Sequence, residues 1–154
     1  MSKEEDLVTA IVTELTTAPL TSAESRVYPM RYKYADLAEL PMIAVYDASM
    51  TSQNMPEGNS EERMATIEIM LHAHGLQTPA SRATAADTIL HTLRAAVETK
   101  LGNAFDDLGV DGIADKIYQG YRIVPDAENK DSEYLVLTCA MRYDFKYFNE
   151  LADL

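Results

Sequence analysis

His72 and His74 lie two residues apart in a stretch that alternates apolar and polar side chains, so both imidazoles share one face with Glu68 and Met70. An H-x-H pair can place two imidazoles on one metal ion, and Glu68 could supply a third ligand. A third polar residue at strand spacing is also what any alternating strand offers, so the metal signal is weak and the pair reads as the solvent or interface face of a strand near its end. Asp106, Asp107, Asp111 and Asp115 cluster around Gly109 and Gly112. Carboxylates in a glycine-containing loop can hold calcium or magnesium, but this spacing does not match an EF-hand and reads as a solvated loop. Arg26, Arg31 and Lys33 interleave with Tyr28, Tyr32 and Tyr34. Such a mixture can bind single strands by charge and stacking. Three charges in so acidic a chain instead suggest half-buried tyrosines, with basic groups pairing to acidic neighbours, including those of another subunit. Cys139 sits between Thr138 and Ala140 in an apolar run, where a thiol behaves as a small inert hydrophobe. No phosphate-binding glycine loop, nucleophile elbow or paired C-x-x-C occurs. The residues point to no enzyme, no cofactor and no resident metal.

The 13 Lys and Arg against 25 Asp and Glu give a net charge of −12. That argues against nucleic-acid binding by the surface as a whole and favours solubility and self-repulsion. At 154 residues, 47% hydrophobic, the chain reads as a single domain over 1–154, with loose termini at 1–4 and 149–154. No apolar run approaches the ~18 residues of a membrane span. The start MSKEEDLV lacks the basic and apolar regions of a signal peptide. With one cysteine no intrachain disulfide can form, which suits a reducing compartment.

Residues 2–16 read as an amphipathic helix. Ser2 and Glu5 fit a capping box, and Leu7, Val8, Ile11, Val12 and Leu15 form its apolar stripe. Residues 42–47 form an apolar strand and 64–74 an alternating one, joined by an unusually long polar loop, 48–62. A methionine-bearing loop of this length suggests contact rather than mere turning. Residues 81–101 read as a second helix, with Gly102-Asn103 as its stop. Strands follow at 116–124 and 133–148. The last is apolar on both faces in its first half, hence central, and alternates in its second half, which suggests that it reaches an edge or extends beyond the core. Val27-Tyr28 could start a short strand, but Pro29 demotes it to an edge or loop. The order α-β-β-α-β-β predicts an α+β fold: a mostly antiparallel four-stranded sheet with two helices packed on one face.

Several of these stretches occur together in one family. The helix LVTAIVTEL precedes Val27-Tyr28; then come LPMIAVYD, a variable loop, RMATIEIMLHA, a long Ala/Leu helix and a closing MRYDFKYF. In this arrangement the chain resembles the tail terminator (tail completion) proteins of long-tailed bacteriophages over residues 5–148. The loop 48–62 and the stretch 103–132 depart most from the pattern. The resemblance implies a non-catalytic virion protein, made in the host cytoplasm, that forms a hexameric ring on the tail tube. Such a ring ends tube polymerisation and presents the head–tail joining surface. Its implied partners are further copies of the chain, the tail tube protein and the head–tail connector; genomic DNA only passes through the lumen. An acidic lumen would keep DNA from adhering. On this reading the expected contact residues are Met50, Met55 and Glu57 in the loop, Arg26, Tyr28, Arg31 and Tyr32, and Tyr143, Phe145 and Tyr147 on the last strand. Another neck or head-completion connector, or a small ligand-binding α+β module, would be the alternatives.

Overall fold

A backbone N–H at a helix start has no partner within the helix, and here the first residues supply one. In the computed structural model the Ser2 N–H donates to Glu5 Oε2 at 2.9 Å and the Glu5 N–H donates to Ser2 Oγ at 3.1 Å. This reciprocal box opens α1, Lys3–Thr17. The structure describes residues 2–17, 23, 26–30, 40–48, 62–76, 84–125 and 134–148. Within these lie β1 (Val27–Tyr28), β2 (Met42–Asp47), β3 (Glu62–Leu76), α2 (Thr84–Asn103), β4 (Ile113–Pro125) and β5 (Tyr134–Phe148). Residues 3 and 4, expected in a loose terminus, belong to α1.

The sheet order is β1-β2-β3-β5-β4. The expected four-stranded, mostly antiparallel sheet is corrected to a five-stranded mixed one. The added strand is β1, which pairs parallel to β2 through Val27 with Ile43 and Tyr28 with Ala44. The Ile43 N–H donates to the Arg26 carbonyl at 2.9 Å, and Arg26 Nε donates to the Pro41 carbonyl at 2.8 Å. Pro29 cannot donate to a ladder, so β1 ends after two residues and stays at the edge. The remaining pairs, β2 with β3, β3 with β5 and β5 with β4, are antiparallel.

β5 is central from Leu137 to Tyr147: Tyr147 still pairs with Arg63 on one side and Ile113 on the other. The alternation in its second half marks a polar outer face, not an edge. On the other face Leu137, Cys139, Met141, Tyr143, Phe145 and Tyr147 join Ile67, Ile69 and Leu71 of β3. Leu7, Ile11 and Leu15 of α1 and Leu90, Leu93, Val97 and Leu101 of α2 pack into the same cluster, so both helices cover one side. Lys100 Nζ ties them by donating to the Glu14 carbonyl at 3.1 Å. Lys116 closes the end of α2, reaching the carbonyls of Leu101 and, at 3.2 Å, Ala104. A cation at a helix C-terminus meets both the dipole and the unpaired carbonyls. A smaller apolar cluster, Leu40, Met42, Ala44 and Val136, lies on the opposite side of the sheet.

Candidate functional site

The outer face of the sheet carries its polar groups in connected pairs. Asp144 is only 5% exposed. Its Oδ1 accepts from Thr66 Oγ1 at 2.8 Å and from Arg142 Nε at 3.2 Å, and its Oδ2 accepts from Gln119 Nε2 at 2.9 Å. Three strands therefore supply the partners of one buried carboxylate, as burying a charge requires. Tyr46 donates to Glu68 Oε2 at 2.6 Å, and His72 Nδ1 lies 2.9 Å from Thr138 Oγ1. Two of the groups weighed as metal ligands, His72 and Glu68, thus sit in side-chain pairs with β5 and β2. Among the described residues no group of three or more His, Cys, Asp or Glu side chains is placed to hold a metal ion.

Beside this network β4 breaks its register between Tyr118 and Gly120. Gly120 has φ +98, a conformation that an L side chain rarely adopts. The bulge, with Ala140 and Met141 of β5, floors a shallow cavity of about 330 Å³. Glu68, Gln119, Arg122 and Arg142 line its walls. The Arg142 side chain remains 47% exposed while bonded to Asp144.

β4 is the outermost strand on this side, and Tyr118, Tyr121 and Val124 along it are exposed. Tyr118 stacks on Tyr143 with centroids 4.7 Å apart, and the Arg94 guanidinium lies 4.3 Å from the Tyr121 ring centroid. Arg94 also pairs with Glu98 at 2.5 Å, one helical turn away. Burial, followed by the nearby Glu98 carboxylate, raises the Tyr118 and Tyr143 phenols well above the ordinary tyrosine value. Burial likewise pushes the Cys139 thiol up to about 11, so it is a protonated core residue rather than a nucleophile.

The acidic stretch after α2 is a structured turn. The Leu108 N–H donates to the Phe105 carbonyl at 3.0 Å, and the Val110 N–H to the Asp107 carbonyl at 2.7 Å. Leu108 and Gly109 take positive φ within it. Phe105 projects from this turn at 85% exposure.

The residues expected to make contacts fall in three groups. Arg26 and Tyr28 flank and form the edge strand β1. Arg31, Tyr32, Met50, Met55 and Glu57 lie outside the described residues. Tyr143, Phe145 and Tyr147 are core residues at 3%, 0% and 7% exposure, turned toward the helices. The distal end of β5 presents Arg142 and Phe148 outward in their place. Sequence reasoning missed the Asp144 network and the cavity. The available signals were a glycine inside a strand pattern, which marks a bulge, and an aspartate in a run of core residues.

No protein-family model matches the chain, and no curated protein matches it.

Proposed function

We propose that the chain is a structural ring subunit of the phage tail terminator type. Six copies would cap the tail tube, stop its growth and present the surface that joins the head connector. The reading begins with the sequence resemblance, and one structural observation supports it above the others: the asymmetry of the sheet edges. β1 is two residues long and closed by Pro29, whereas β4 runs for 13 residues with Tyr118, Tyr121 and Val124 exposed. Long exposed edges with apolar side chains are where proteins take partners. A ring uses two different patches on each subunit. Arg26 and Tyr28 at the β1 end, Arg31 and Tyr32 beyond it, and Met50, Met55 and Glu57 in the 48–62 loop are proposed contacts with neighbours or the tube.

A neck or head-completion connector would share these features. The 330 Å³ cavity favours a second class of reading, a small ligand-binding module, because its size falls at the lower limit of ligand pockets. Electron micrographs of the purified protein decide between them. Six-fold rings, or a hexamer by light scattering, are expected. A protein that stays monomeric when concentrated and ignores tail tubes excludes the ring. Deleting residues 51–60 should leave the circular dichroism spectrum intact and abolish tail assembly; assembly by the deleted protein would remove the loop from the contact.

A further inference from the structure

Phe105 is the most exposed of the large hydrophobic side chains described, and it is held out by a turn pinned at both ends. Lys116 bonds the carbonyl of the preceding Ala104, and Asp107 Oδ1 accepts the Gly109 N–H at 2.8 Å. The next two residues, Asp106 and Asp107, are exposed acids. The turn therefore offers a preformed aromatic knob flanked by two carboxylates, of which Asp106 lies 3.9 Å from Lys116 Nζ, so little ordering is needed on contact.

The matching recess is the cavity over the β4 bulge. Its floor is Gly120, Ala140 and Met141, and Arg122 and Arg142 stand on its wall. This cationic pair is unusual in a chain of net charge −12. Arg142 is itself bonded to Asp144 at 3.2 Å with its side chain 47% exposed, whereas Lys3 is spent on the Asp111 carbonyl, Lys100 on that of Glu14, Lys116 on the end of α2 and Arg94 on Glu98. Of the two carboxylates nearby, Asp144 is already compensated by three donors and Glu68 is bonded by Tyr46.

We infer that the Phe105–Asp106–Asp107 knob of one copy docks in the Arg122/Arg142 recess of the next copy. The inference rests on the ring reading. Knob and recess are different patches of the same surface, as a head-to-tail contact demands, whereas a two-fold dimer would require self-complementary patches. Complementary charge also lets two strongly acidic molecules approach in one orientation and not others.

Two exposed substitutions test it without touching the core: Phe105→Asp removes the knob and Arg122→Glu reverses the recess. Sedimentation velocity of each alone should show monomer where the wild type associates, a weakening of at least about tenfold. An equimolar mixture should give heterodimers and nothing larger, because each pair keeps one intact knob and one intact recess. Association by Phe105→Asp equal to wild type, or a mixture that remains monomeric, overturns the contact while leaving the ring in place. A wild type that never associates overturns both. Melting temperatures of both variants within a few degrees of wild type confirm that the fold is retained.

Discussion

Thr66 is a small residue with a specific task. Its hydroxyl, 2% exposed on the residue scale, donates to Asp144 beneath the outer face. Thr66→Val keeps the shape and leaves the carboxylate one donor short. Unsatisfied buried polar groups cost about 1–3 kcal/mol, so the urea midpoint should fall accordingly, while Thr66→Ser should recover most of the loss. Equal stability of the valine and wild-type proteins would mean that Gln119 and Arg142 suffice. Tyr147 makes a pH-dependent prediction. Burial first, then its 2.9 Å hydrogen bond to Glu4, lift its phenol from 10.0 to about 12. A folded-state value above the unfolded one means the neutral phenol is the form the fold holds. Its contribution is complete below pH about 10 and is lost as pH rises toward about 12. Stability measured across that window should decline, and Tyr147→Phe should decline less steeply. At the acid end Glu5, bonded by Ser2, sits below the usual glutamate range, so its contribution is present at neutral pH and lost as pH falls through that depressed value.

At the level of elements, hydrophobic spacing predicts both helices and four of the strands. The stripe Leu7, Ile11, Leu15 and the stripe Leu90, Leu93, Val97, Leu101 are the ones buried. The Ser2–Glu5 box is legible because a cap needs only residues close in sequence. The strands 64–74 and 116–124 extend to Glu62–Leu76 and Ile113–Pro125 because pairing with β5 prolongs them, and a ladder partner is not visible in a local window. The bulge at Gly120 is the element-scale feature with most leverage, since it bends β4 and floors the cavity. A methyl group there meets nothing within 4 Å, so Gly120→Ala should act through the backbone alone. Holding alanine at that φ costs of order 1–3 kcal/mol. A thermal melt should register the loss; an unchanged midpoint would show that the bulge relaxes at no cost.

At the scale of the molecule, one apolar cluster spans both helices and the strands β1 to β5, with partly buried Ile123 joining from β4. Such a core should unfold as a unit. Near- and far-ultraviolet circular dichroism are expected to give coincident denaturation curves, and separated midpoints would reveal an independent subdomain. By itself the sequence determined what is local: charge, the absence of known catalytic motifs, helix caps, and the apolar–polar alternation of β3 and of the second half of β5. It also carried a resemblance whose functional content stands as a proposal. Tertiary structure alone decided the strand order, with β5 between β3 and β4, and the parallel addition of β1. It turned Tyr143, Phe145 and Tyr147 from expected contacts into core, and it brought Thr66, Gln119, Arg142 and Asp144 together. The physical reason is common to all of these. Periodicity states which face of a strand is apolar, but the partner that covers that face is chosen by pairing between residues up to 86 apart in the chain, as Glu62 and Phe148 are.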